Sequence, residues 1–190
     1  DVIFHEEWWN YYSTETLPSF DMMAIYCDTA QKIKQANDYS VFQLWGRKDG
    51  CIYLVDQIRG KWESPDLLRK FSLFILKWHN PAATWNKIRY AKVEDKSSGT
   101  GLIQTLKNSC PVAVLPIPRH IDKTTRALDA APFIESGRVF IPDDKDFVVD
   151  YVEEFTNFSS DDTHDWDDQV DCTMDAIQDM LQGAIESGTF

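Results

Sequence analysis

Three groups of acidic residues stand where a strand is predicted to end or a helix to begin: Asp28, the pair Glu94-Asp95, and Asp167-Asp168 with Asp171. Ligands of α/β sheets gather at the carboxyl ends of strands. Carboxylates converging there offer hard oxygen ligands to Mg²⁺ or Mn²⁺, and hydrolysis of a phosphodiester by two metals needs such ligands around ions roughly 3.5–4 Å apart. Asp168 and Asp171 are three residues apart and Asp167 and Asp171 four, so either pair projects from one face of a helix. Each group also has an ordinary explanation: a strand-ending turn for Asp28, a solvated turn for Glu94-Asp95, and for the last group a first helical turn where the macrodipole favours acids. Only the combination points to chemistry. His164 precedes the last group and suits a metal ligand or proton shuttle, although a histidine in a polar loop is more often exposed. Lys96, Arg119, Lys123 and Arg126 suit charge-assisted bonds to phosphate oxygens, with solvated surface as the alternative for each.

The elements that must position these groups are legible in outline. Met22 to Cys27 is an apolar run ending at Asp28, the pattern of a buried strand that delivers a carboxylate. Tyr39 to Trp45, a Gly46-to-Gly50 hairpin signal and Cys51 to Asp56 complete three antiparallel strands. Ser64 as N-cap with Pro65 in the first turn starts a helix whose stripe of Leu67, Leu68, Phe71, Phe74 and Ile75 is core. Lys87 to Val93 reads as a strand, Thr100 to Lys107 as the helix after it, and Pro111 to Ile117 as a further strand. Asp122 to Glu135 is helical in pattern, interrupted near Pro132. Arg138 to Pro142 is a short strand and Phe147 to Phe158 an amphipathic helix. The last helix spans about Asp167 to Ile185, with Val170, Met174, Ile177 and Leu181 on one face. Residues 1–20, rich in aromatics that would pack on the domain or on a neighbour, read as a linker or docking segment rather than the start of a sheet, and residues 21–190 as the domain.

A chain of 190 residues that is 43% hydrophobic can bury one substantial core, which predicts a single α/β domain. No run of about 18 apolar residues suggests a membrane span, and the N-terminus lacks a signal-peptide pattern, so a cytosolic protein is expected. Cys27, Cys51, Cys110 and Cys172 form no CxxC pair and read as free thiols. No phosphate-binding GxxxxGK[ST] loop is present. The net charge of −12 sits awkwardly with a protein that grips DNA unaided. Its acids are concentrated between Asp143 and Asp179, which fits either a cation site or a solvated tail.

In order along the chain, several segments resemble the C-terminal nuclease domain of the large terminase subunits of tailed phages, from about Ile25 to Leu181. They are Asp28-Thr29-Ala30 followed by Asn37-Asp38-Tyr39-Ser40-Val41; the hairpin from Trp45-Gly46 to Asp56 with Arg59-Gly60; and Val93-Glu94-Asp95-Lys96-Ser97-Ser98-Gly99 with Leu102-Ile103-Gln104. Asp122 to Arg126, Gly137 to Pro142 and Asp167-Asp168-Gln169-Val170-Asp171 follow. The ordered set is specific, although no member is.

The resemblance implies an RNase H-like fold, a central mixed β-sheet flanked by helices on both faces, that cuts double-stranded DNA with two Mg²⁺ or Mn²⁺ ions. Asp28 matches the family's first metal-binding acid. The second falls at Glu94 or Asp95; neighbours on a strand face opposite sides, so one of the two reaches the metals. For the third, Asp168 comes first, with Asp171 and Asp167 beside it. Trp166 stands where the family usually has a histidine and His164 lies two residues earlier, which leaves a catalytic role for the histidine unsupported. Lys96, Lys123 and Arg126 are the expected DNA contacts. One ion would activate water and the other stabilise the leaving 3′ oxygen. The resemblance further implies an ATPase domain in the same full-length protein, a portal and a small terminase subunit as partners, and a place in the host cytoplasm outside the mature virion. Two other readings compete: another RNase H-like nuclease such as a junction resolvase, and a non-enzymatic acidic interaction domain.

Overall fold

Successive residues of a strand face opposite sides of its sheet, and Met22–Asp28 (β2) uses that alternation to feed two cores. Met22, Ala24 and Tyr26 enter one hydrophobic cluster, and Met23, Ile25 and Cys27 enter the other. A strand buried on both faces belongs in the middle of a covered sheet. The computed structural model describes residues 2–30, 39–94, 97–161 and 163–183, without the side chains of residues 97–99.

Among the described residues seven strands form one mixed sheet in the order β1-β7-β4-β3-β2-β5-β6. The other strands are Asn10–Tyr12 (β1), Ser40–Lys48 (β3), Cys51–Gly60 (β4), Ile88–Glu94 (β5), Ala113–Ile117 (β6) and Val139–Pro142 (β7). β2, β3 and β4 are antiparallel neighbours, as the sequence suggests, whereas β5 pairs with β2 in parallel. Helices Asp66–Trp78 (α1) and Ser97–Leu106 (α2) cover one face, through Leu67, Phe71, Phe74, Ile75, Leu102 and Leu106. Lys123–Glu135 (α3), Val148–Asn157 (α4) and Asp168–Ile177 (α5) cover the other, and Gln178–Gln182 prolongs α5 as a π-helical turn. The expected helices on both faces are therefore present.

Four readings of the sequence need correction. Residues in the first twenty positions belong to the sheet and core: β1 pairs in parallel with β7, while Phe4 and Trp9 pack against Phe155 with ring centroids 5.0 and 4.9 Å away. Their aromatic surface is what buries them, and the turn-like Leu17-Pro18 only leads into β2. Pro65, not Ser64, takes the N-cap position of α1. Pro132 sits inside α3 without interrupting it. α2 starts at Ser97 rather than Thr100.

Candidate active site

Parity along the strands decides which acids can meet. Asp28 follows Tyr26 on the face covered by α3, α4 and α5; Ala91 and Val93 of β5 face the opposite core, so Glu94 turns to the same side as Asp28. The pairing of Cys27 with Val93 sets Asp28 and Glu94 side by side at the carboxyl ends of adjacent parallel strands. Both are buried, close enough for Glu94 to act on the Asp28 carboxyl. Asp95 and Lys96, singled out in the sequence, lie outside the described residues.

Above this pair runs α5, which lies against β2 and β3 and is buried at every one of its positions. A helix buried all round must satisfy its polar groups internally. At its start, Gln43 of β3 donates to Gln57 of β4 at 2.8 Å, Gln57 donates to Gln169 at 2.7 Å, and Gln169 donates to Glu154 of α4 at 3.0 Å. Glu154 also accepts the Val170 backbone N–H at 2.7 Å. Beyond its end, Asp179 accepts Tyr26 and Tyr90 hydroxyls, each at 2.6 Å, and the Lys92 ammonium at 2.7 Å. The helix is thus pinned at both ends, which fixes the rotation of its acids over the strand ends.

Those acids separate into two directions. Asp171 and Asp175 face the Asp28–Glu94 pair, and Asp171 acts electrostatically on Asp28. Asp168 instead accepts from Arg59 Nε at 2.7 Å and neighbours Glu154, in a pocket where Arg59 stacks 3.8 Å from the Tyr39 ring centre. Asp167 takes the N-cap position but makes no side-chain cap bond; it pairs with Lys123 at 2.5 Å and His164 at 3.0 Å. Capping is therefore not what occupies Asp167. His164, expected in an exposed loop, has 3% of its side chain exposed and stacks on Phe158.

The centre of the cluster is held by Arg119, from the loop between β6 and α3. Its guanidinium lies 2.7 Å from Glu94, 3.7 Å from Asp28 and 2.6 Å from Asp175. Arg126 donates to Asp175 at 2.8 Å and Asp171 at 3.3 Å, and Lys123 lies 3.2 Å from Asp171. Arg126 is buried between carboxylates rather than displayed to phosphates, because the acidic face of α5 needs compensation where α3 packs on it. Lys123, still 39% exposed, is likewise engaged with acids. Asp175, Arg59 and Glu154 are the participants that the sequence reading missed. The spacing of Asp171, Asp175 and Asp179 by fours on one helix was the available signal.

Charge balance differs across the cluster. Burial pushes the Asp28 carboxyl well above the usual range; Arg119 opposes this, and Asp171 and Glu94 add to it. Asp175 is raised by burial despite two arginines, and burial raises Asp168 against the pull of Arg59. Burial and then Asp168 push Glu154 up to about 8. For Arg119, burial pulls downward, but Asp28, Asp175 and Asp171 outweigh it and raise the guanidinium further. Among the described residues no three His, Cys, Asp or Glu side chains close on one point as a ready cation cage. The donor set nevertheless suits a hard divalent cation, since carboxylate oxygens from β2, β5 and α5 already surround a single positive group.

The family described as Terminase RNaseH-like domain matches residues 25–179. No curated protein matches the chain. In fold it is similar to the large terminase of the thermophilic bacteriophage D6E, at a TM-score of 0.71 and 14% identity, covering 94% of this chain and 44% of that one. The D6E protein has also been seen in complex with ADP. The large terminase nuclease of thermophilic phage G20c is similar over 93% of this chain and 97% of its own, with bound zinc, at a TM-score of 0.65 and 17% identity. With bound magnesium it gives a TM-score of 0.63 and 15% identity, over 92% and 95% of the two chains. These likenesses establish the RNase H-like fold, and the chain spans less than half of the D6E protein's length.

Proposed function

The chain belongs to the terminase RNase H-like domain family, and from that premise we propose that it is a metal-dependent endonuclease domain of a genome-packaging terminase large subunit, cutting double-stranded DNA. The observation that carries this reading is the placement of Asp28 and Glu94 at adjacent parallel strand ends, faced by Asp171. Asp28, Glu94 and Asp171 are the residues that would hold Mg²⁺ or Mn²⁺, with Asp95 as a further candidate. The ions supply Lewis-acid stabilisation of the phosphate and a nucleophile at neutral pH. The protein's part is positioning: strand pairing fixes the first two acids, and the two anchored ends of α5 fix the third. Asp168, the first choice from sequence, instead orients Arg59 beside Glu154. Asp167 does the same for Lys123 and His164.

An ATPase domain, a portal and a small terminase subunit are the partners this reading implies, and the host cytoplasm the place of action. No helix among the described residues is long and apolar enough to cross a membrane.

Incubation with linear and branched duplex DNA, with Mn²⁺, Mg²⁺ or a chelator, tests the assignment. Metal-dependent cutting of the linear duplex is expected, and Asp28→Asn abolishes it while melting cooperatively. Undiminished cleavage by Asp28→Asn refutes the site, and strict preference for branched DNA refutes the substrate.

A further inference from the structure

One feature of the cluster is not part of a cation site as such: a permanently charged side chain stands among the oxygens that would hold the cation. A guanidinium does not deprotonate in proteins, so its charge leaves a site only when the side chain moves. Arg119 grips its neighbours unequally. Asp175, whose side chain is fully enclosed, accepts from Nε at 3.2 Å and Nη2 at 2.6 Å, a two-point contact. Glu94 is met by Nη1 alone at 2.7 Å, and Asp28 is 3.7 Å from Nη2. Arg126 adds a second cation to Asp175 and none to Asp28 or Glu94.

Resting on the reading that Asp28 and Glu94 take part in divalent-cation binding, we propose that Arg119 is the resident counter-cation of the metal-free centre, which yields Glu94 and Asp28 to the metal while keeping its hold on Asp175. The two cations compete for the same oxygens. In the metal-free state Arg119 keeps three carboxylates from three elements together, which would otherwise repel. Its backbone belongs to the loop after β6, so a swing of the side chain disturbs no helix or strand ladder. Asp175 is then the anchor of the arginine and a positioning residue rather than a metal ligand. Metal affinity is set partly by the work of moving Arg119, a coupling of a size that commonly spans roughly 5–150-fold.

The test measures Mn²⁺ binding directly, from the electron paramagnetic resonance signal of free Mn²⁺, for the parent chain, Arg119→Lys and Arg119→Met. Folding of each is checked by circular dichroism. Removing the competitor tightens Mn²⁺ binding by about tenfold in Arg119→Met and by less in Arg119→Lys, although both melt lower than the parent without metal. A folded variant that binds Mn²⁺ no tighter than the parent overturns the proposal and leaves the metal reading standing. Absence of Mn²⁺ binding in the parent overturns both. Should Arg119→Met fail to fold, Arg119→Lys and the parent decide: the resonance of the parent's Arg119 Nη1–H, the group on Glu94, must shift as diamagnetic Mg²⁺ saturates the site, and an unmoved resonance at saturation refutes displacement.

Discussion

Asp175 and Asp28 share one cluster, yet neutralising them is expected to act in opposite directions on stability. Asp175 accepts three charged hydrogen bonds: Oδ1 takes Arg119 Nε at 3.2 Å and Arg126 Nη2 at 2.8 Å, and Oδ2 takes Arg119 Nη2 at 2.6 Å. In Asp175→Asn one oxygen becomes an amide donor facing a guanidinium. At least one bond to a charged group, worth about 1.5–3 kcal/mol, is lost, and two buried cations lose their shared counter-charge. Breaking a buried pair costs about 3–5 kcal/mol, and the retained acceptor places this variant near the lower end, at roughly 3 kcal/mol. For a chain of this size that lowers Tm by roughly 6–12 °C. Burial raises both carboxyls, but Asp28 lacks the three guanidinium bonds that offset it at Asp175: Arg119 stands 3.7 Å away and two acids are its neighbours. Its carboxyl titrates above the ordinary value in the fold, so the stability it contributes is present at low pH and is lost as pH rises through the folded value. Asp28→Asn removes that penalty and melts at or above the parent at pH 8. Scanning calorimetry in chelator compares the three proteins. Asp175→Asn melting within about 2 °C of the parent, or Asp28→Asn falling as far as Asp175→Asn, would refute this reasoning.

Other perturbations follow from the same geometry. Glu154, held up at about 8, contributes stability that is complete below the ordinary glutamate range and lost as pH rises toward 8, so Glu154→Gln gains on the parent by a few kcal/mol between pH 5 and pH 8 in denaturant titrations; a constant difference would contradict it. Gly46 carries no side chain because a Cβ there would lie 2.5 Å from the Phe20 ring, so Gly46→Ala destabilises by about 1–3 kcal/mol, and an unchanged urea midpoint would show that Phe20 moves freely. Asp179→Asn leaves the Lys92 ammonium and two hydroxyls on a neutral partner, and hydrogen exchange of the backbone amides of α5 should accelerate; unchanged exchange would mean the far end of the helix is not anchored there.

Asp28 and Glu94 could be singled out as candidates from the sequence because one ends an apolar run and the other an alternating one, and strand periodicity needs only neighbouring residues. The same alternation explains why the choice between Glu94 and Asp95 stayed open: parity says that they face opposite sides, and only the tertiary position of α5 says which side matters. Asp168 was the first choice for the third acid because it begins a helix and matches a motif. Rotation about the helix axis, set by the Gln43, Gln57 and Gln169 chain at one end and Asp179 at the other, turns Asp171 and Asp175 inward instead. Arg119 is in the sequence an ordinary basic residue of a polar loop. Its role depends on contacts 56 residues away in Asp175 and on the crossover that brings the loop after β6 over the strand ends. The pairing of β1 was missed because short aromatic segments carry little periodicity, and the burial of Phe4 and Trp9 depends on α4 being there to receive them.

The arrangement of charge also bears on how this chain can hold DNA. Of its 19 basic residues, Arg59, Arg119, Lys123 and Arg126 are turned toward carboxylates at the cluster, in a chain whose net charge is −12. Cations engaged in this way neutralise the protein rather than phosphates, and each phosphate contact adds about 0.9 to the slope of log affinity against log salt. The chain alone is therefore expected to bind duplex weakly in chelator, with a slope corresponding to no more than about three phosphates. Fluorescence anisotropy between 50 and 200 mM salt reads that slope. A slope equivalent to about six phosphates or more would mean that a basic surface exists beyond the acid-paired residues, and that the acidic balance of the chain is not what limits its grip.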